Sequence, residues 1–163
     1  MTTSANDNGL ETLNELLADN QQYELLNGFD VSRNHVAMTL IALYRLGATS
    51  EQMKVYYSGK KKNENPSLVD ENVNINEENW YQYLGTSASA STSYIRFFTG
   101  KIKAEGVENA LKCYLPKLIS GVAAHAYHPL IRLAYGAEIN NVGETAFAMA
   151  YFASTYRSFC GYR

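Results

Sequence analysis

Apolar and polar positions alternate at helical intervals along almost the whole chain. Leu10, Leu13, Leu16, Leu17, Leu25 and Leu26 predict a first helix over Leu10 to Leu26, with Asn27-Gly28 as its stop. Ser32 can cap a second helix, "RNHVAMTLIALYRLG", which meets Gly47 as its C-terminal punctuation. Thr49 or Ser50 then caps a third, "EQMKVYYSG". Residues 60–76 are rich in Asn, Lys and Glu, contain Pro66, and predict an exposed loop. After it, "NEENWYQYLG" predicts a short helix ended by Gly85, and "TSASASTS" a small-residue linker. "YIRFFTGKI", "VENALKCYLPKLI", "GVAAHAYHPLIRLAYGAE" and "NVGETAFAMAYFASTYRSF" complete the helical pattern. Sustained strand-like alternation occurs nowhere, and no solenoid period repeats. The expected fold is all-α: residues 1–163 as a single-domain multi-helix bundle of roughly seven to nine helices, with 60–76 as a loop within it.

Charge narrows the partners. A formal net charge of −2 on 163 residues, with acids and bases mixed, gives no broad positive field for phosphate backbones or acidic membranes. Nucleic acid is therefore not expected as a partner. The one basic cluster, Lys60-Lys61-Lys62, runs straight into Asn63-Glu64-Asn65-Pro66 and reads as solvated loop. Cys113 and Cys160 lack CxxC spacing, which favours reduced thiols in a cytoplasmic protein, with a single bridge left open. "MTTSANDNGL" has no signal-peptide character. The apolar run from Leu118 to Tyr156 is broken by Arg132, Glu138, Asn140, Asn141 and Glu144 before it reaches the roughly 18 residues of a bilayer span. A soluble, cytoplasmic chain without membrane contact is expected.

The stretch from Gly121 to Glu138 holds the most unusual chemistry. On an ideal helix of about 100° per residue, His125, His128, Arg132 and Tyr135 share one stripe about 80° wide. Val122, Ala123, Ala124, Leu130, Ile131, Leu133 and Ala134 surround that stripe. Polar groups in such surroundings need partners. Pro129 has no N–H for the carbonyl of His125 and disfavours helix at His128, so the chain should kink there, or restart with Pro129 as the first residue of a new helix. His35, the third histidine, opens the apolar helix that carries Met38, Ala42 and Arg45 on its face. Neutral imidazole ligates iron, zinc and copper, so three histidines on apolar helices suit a metal site; core histidines satisfied by a carbonyl or a tyrosine fit them equally.

Other chemistry finds no support. There is no Gly-rich phosphate loop, HExxH or nucleophile elbow, and the Glu-x-x-His pairs of a ferritin-like di-iron site do not occur. Cys113 becomes a nucleophile only if the fold brings it to His125 or His128. The 13 tyrosines suit an aromatic pocket or a tyrosine-rich core.

Several of these segments, in order, resemble the first half of the questin oxidase-like family: "GFDVSRNHVAMTLIALYRLGATSEQMKVYY", "ENWYQYLG", and "GVENALKCYLPKLISGVAAHAYHPLIRLAYGAEINNVGETAFAMAY". The similarity spans roughly Tyr23 to Tyr156. Its most specific parts are Asn34-His35 with the Leu-Gly-Ala that follows, and His128-Pro129-Leu130-Ile131. The resemblance implies a helical oxidoreductase for oxidative ring opening of anthraquinones and related polyketides, by a Baeyer–Villiger type or dioxygenase reaction. It also implies a His-ligated non-haem iron, with NADPH as an invoked electron donor. Carried over by position, His35 and His128 are ligands, and His125 is a third ligand or their hydrogen-bond partner. Where the family commonly continues with histidine this chain has Arg132, which cannot ligate a metal but can face an anionic substrate or oxygen species. Family proteins are usually more than twice as long.

Two expectations follow. In the first, His35, His125 and His128 hold iron, Arg132 and Tyr135 face the substrate or oxygen, and the substrate is a small apolar or aromatic molecule. In the second, the chain is a non-catalytic helical module that binds an apolar ligand or a partner chain. Convergence of the imidazoles favours the first; pairing of Arg132 with Glu138 or Glu144, with the imidazoles pointing apart, favours the second. Either way, so much apolar sequence in a short chain suggests a homodimer or a second subunit to cover it.

Overall fold

The structure is a computed structural model that describes residues 4–27, 35–60, 73–85 and 90–158, with side chains of the first helix described from residue 8 to 22. The described residues form seven α-helices and short 3-10 turns, with no strand among them. None of the helices is long and apolar enough to cross a membrane. The expected cap at Ser32, most of the 60–76 loop, the first half of the small-residue linker and Cys160 lie outside the described residues.

The chain divides into two compact units, Met1–Leu68 and Val69–Arg163. The first holds α1 (Ser4–Asn27), α2 (His35–Arg45) and α3 (Ser50–Lys60), each packed against the other two. Leu13, Leu17, Ala37, Leu40, Ile41 and Met53 are its fully buried core. Its helix ends follow from local chemistry. Gly47 takes a φ of 86°, donating its N–H to Tyr44 O at 3.0 Å while Ala48 N–H reaches Leu43 O at 2.9 Å, so the last carbonyls of α2 are satisfied. Thr49 and Gln52 cap α3 reciprocally: Gln52 N–H donates to Thr49 Oγ1 at 3.3 Å, and Thr49 N–H to Gln52 Oε1 at 2.8 Å.

The second unit is built around α7 (Val142–Ser154). Every residue from Glu144 to Ser154 is buried, as befits a helix apolar on all sides. Asn141 caps it, accepting from Glu144 N–H at 2.7 Å. Around it pack α4 (Ser91–Glu105), α5 (Val107–Leu118), α6 (His128–Glu138) and the 3-10 turn Trp80–Tyr83. The serines expected in a linker partly belong to α4, where Ser91 and Ser93 are buried and Ser91 Oγ donates to Ser154 Oγ at 3.3 Å. Small side chains at the start of α4 let the two helices approach.

The short helix expected over residues 76–85 is reduced to that 3-10 turn. Asparagine side chains compete for the backbone before it: Asn76 N–H donates to Asn79 Oδ1 at 2.8 Å and Glu78 N–H to Asn76 Oδ1 at 3.0 Å. Trp80 then stacks on Phe97 and meets Phe98 and Tyr114 edge-on, and its carbonyl accepts from Tyr94 Oη at 2.6 Å.

Candidate functional site

The stripe of four polar residues does not lie on one helix. A 3-10 turn at Ile119–Gly121 ends the α5 segment, and His125, Ala126 and Tyr127 then take φ values of 45°, 52° and 66°. Three successive left-handed non-glycine residues cost about 1–2 kcal/mol each, so the surroundings must hold them there. α6 restarts at His128 with Pro129 in its first turn, where its missing N–H and fixed φ are harmless. His128, Arg132 and Tyr135 share α6, and His125 stands apart on the turn.

That turn gives each imidazole its own inward partner. His128 Nδ1 lies 2.8 Å from His125 O and 3.2 Å from Ala126 O. His125 Nδ1 lies 3.2 Å from the hydroxyl of Tyr151, and the two rings meet edge-on with centroids 5.6 Å apart. Tyr151 belongs to α7 and is fully buried, whereas His125 is exposed and His128 half-buried. Burial of its inner edge, with Arg157 and His128 nearby, holds the His125 imidazole below its ordinary pKa.

The segment after α7 closes behind the turn. Tyr156 Oη and Ser120 Oγ are 2.7 Å apart, and its ring covers Gly121 so closely that a Cβ there would sit 2.5 Å from Cδ2. Its carbonyl passes Gly85, whose φ is 68° and where a Cβ would meet that oxygen at 2.2 Å. Those two glycines are therefore required by close approach. Arg157 follows directly on this anchored tyrosine.

Arg132 points the other way. Its side chain and that of Glu144 have no exposed surface; Arg132 Nε donates to Glu144 Oε1, and the guanidinium lies 4.2 Å from the Phe147 ring centroid. The pair ties α6 to the first turn of α7, one helical turn from Gly136, where a Cβ would meet Thr145 N at 3.0 Å. So placed, Arg132 has no surface through which to meet a substrate. Tyr135 is half-buried on α6, and His35 is exposed at the first position of α2, in the other unit. Among the described residues no group of three or more His, Cys, Asp or Glu side chains is placed to hold a metal ion. Tyr151, Phe147 and Arg157 were not singled out from the sequence: two are aromatic residues in an apolar helix, and nothing in the spacing marks the third.

Residues 32–162 match the family model described as questin oxidase-like. The chain belongs to the questin oxidase-like family. All five residues marked from the sequence, His35, His125, His128, Arg132 and Tyr135, fall within the match. The chain is also similar to a protein named oxidoreductase AflY, from Aspergillus parasiticus, at 30% identity over 116 residues. That alignment covers 64% of this chain and 23% of AflY, so the chain spans about a quarter of the relative's length.

Proposed function

We propose that this protein is an oxidoreductase acting on an aromatic, polyketide-type substrate, with oxygen-dependent oxidation or ring cleavage as the reaction class. The observation that carries this reading is the left-handed turn that anchors His125 and His128 inside a questin oxidase-like match, in a chain similar to a named oxidoreductase. A fold that spends about 1–2 kcal/mol on each of three left-handed residues to present two histidines does what active sites do with strain. His128 is suited to accept a proton or hold an electrophile, and His125 to hydrogen-bond beside it.

The expected non-haem iron would need more donors than this turn supplies. Among the described residues no group of three or more His, Cys, Asp or Glu side chains is placed to hold it. The buried Arg132–Glu144 pair favours the second reading, a non-catalytic helical module that binds an apolar ligand or partner chain.

The experiment that separates them is oxygen uptake by the full chain with a panel of hydroxylated anthraquinones, with ferrous iron and NADPH added singly and together, alongside plasma mass spectrometry for bound metal. Substrate-dependent uptake that falls at least tenfold in His128→Ala supports the oxidoreductase. Saturable binding of the same quinones with no uptake under any condition, in wild type and variant alike, supports the module.

A further inference from the structure

Trp80 is the one tryptophan of the chain, and three tyrosines adjoin it in different settings. Indole and phenol rings release a single electron more readily than phenylalanine, so a cluster of them can pass an oxidising equivalent from ring to ring. An oxidised phenol is a strong acid. It keeps the electron vacancy as a stable neutral radical only where a base stands ready for its proton.

The three tyrosines differ in that respect. Tyr94 is fully buried and donates to Trp80 O at 2.6 Å, but a peptide carbonyl is far too weak a base to take the proton. Tyr81 meets the Trp80 ring edge-on at 6.4 Å between centroids and is 46% exposed, where water is a weak base. Lys117 Nζ lies 4.5 Å from the Tyr81 ring centroid and 5.7 Å from that of Trp80, so its ammonium disfavours positive charge on both. Tyr114, on α5, is buried and meets Trp80 edge-on at 5.2 Å. Its hydroxyl donates to Glu77 Oε2 at 2.7 Å, within proton-transfer reach of a carboxylate. Lys101, from α4, pairs with the same oxygen. Its ammonium, with the Tyr114 hydroxyl second, holds Glu77 below the ordinary carboxylate range, so the acceptor is already ionised.

We propose that Tyr114 is a one-electron redox site, with Trp80 as its electron relay and Glu77 as its proton acceptor. The oxidant is a one-electron oxidant of the peroxyl-radical class. It takes an electron at the exposed ring of Tyr81 and becomes a peroxide anion, which picks up a proton from water. Trp80 refills Tyr81, and Tyr114 refills Trp80. As that last electron leaves, the phenolic O–H bond breaks and its proton passes to Glu77 Oε2, leaving a neutral tyrosyl radical beside a carboxylic acid. The site stands on neither the histidine turn nor the turnover of a quinone.

The test starts from Trp80, which is unique and can be oxidised selectively. A laser flash absorbed by indole rather than phenol ejects its electron in the full chain, with a cobalt(III) ammine as the electron acceptor. The absorption of the two kinds of radical then follows the vacancy. The expected trace is a first-order decay of the tryptophanyl signal with matching growth of a tyrosyl signal, at a rate independent of protein concentration. That growth should be lost in Tyr114→Phe, and slow by about tenfold or more in Glu77→Gln, which removes the base. It should also slow in deuterated water, and be unchanged in Tyr94→Phe and Tyr81→Phe. Tyr114→Phe keeps the ring, and an unshifted Trp80 fluorescence maximum checks that the packing is kept. Growth that survives Tyr114→Phe, or is lost in Tyr94→Phe or Tyr81→Phe instead, assigns the vacancy to another ring and overturns the proposal. A rate unmoved by both Glu77→Gln and deuterated water overturns it as well, because a hydrogen bond that serves packing alone does not couple the electron to a proton.

Discussion

Two polar pairs share the stretch from His125 to Glu144, and the fold treats them oppositely. Arg132 and Glu144 have no exposed side-chain surface, are paired with each other, and the guanidinium lies over Phe147. His125 and His128 are held by their Nδ1 atoms from within, one by a tyrosine on α7 and one by carbonyls of a left-handed turn, and reach solvent on the other side. The first pair has no exposed surface at which to meet a ligand. In the second, inward bonds orient the groups while the His125 ring stays exposed. Buried polarity that closes on itself serves architecture; polarity anchored at one end can serve chemistry.

The largest effect should come from opening the closed pair. Glu144→Leu leaves a buried guanidinium without its counter-charge, and Arg132→Met leaves a buried carboxylate. Each should cost about 3–5 kcal/mol in urea denaturation at neutral pH. The double variant should lose much less than the sum, because nothing charged is then left inside. Additive losses, or single losses below about 0.5 kcal/mol, would mean the pair is effectively solvated and the contrast with the histidines is false.

A smaller effect should follow at the closure behind the turn. Gly85→Ala puts a side chain at positive φ and against a backbone carbonyl, and should cost about 1–3 kcal/mol. Gly100→Ala, in an exposed part of α4 with nothing within 4 Å of the added Cβ, should instead stabilise by up to about 1 kcal/mol. Matching signs in thermal melts would refute the close approach of Tyr156.

Smaller still is the strain in the turn itself. Ala126→Gly relieves a left-handed alanine and should be neutral or stabilising by up to about 1 kcal/mol. Ala104→Gly, exposed in α4, should destabilise by about as much. If both substitutions destabilise equally, the turn is not left-handed in solution.

Much of the helical fold was legible because it rests on local rules. The Gly47 stop, the Thr49 cap and the apolar faces of α2, α5 and α7 need only short-range spacing and appear where expected. The family was legible for a similar reason, since its motifs are short and contiguous. The stripe of His125, His128, Arg132 and Tyr135 was not, because helical periodicity assumes a right-handed backbone and the chain inverts at three residues that carry no glycine. Tertiary contact holds that inversion, and spacing cannot reveal it. Tyr151 was hidden likewise: among 13 tyrosines only its three-dimensional position against His125 distinguishes it. Arg132 was marked for its oddity, and the burial that decides its role belongs to α7.

The smallest effect, and the one that reads the open side directly, is the pH dependence contributed by His125. Its folded pKa is depressed below the ordinary value of 6.5, first by burial of the ring's inner edge and then by the charges of Arg157 and His128. A depressed histidine is neutral in both states at high pH, so its contribution to stability is fully present above the unfolded value. As pH falls through 6.5, the unfolded chain takes up the proton first, and that contribution is lost until the folded pKa is passed. Urea midpoints between pH 8 and pH 5 should therefore fall more in wild type than in His125→Gln, and the difference between the two curves isolates this one ring. Because Arg157 is exposed, its share should shrink in Arg157→Gln and also in high salt, whereas the larger share from burial should survive both. A difference curve abolished by salt would make His125 a surface imidazole that merely senses a nearby charge. A curve that persists would place its inner edge in the protein, against Tyr151, which is the arrangement that leaves the outer nitrogen for a ligand.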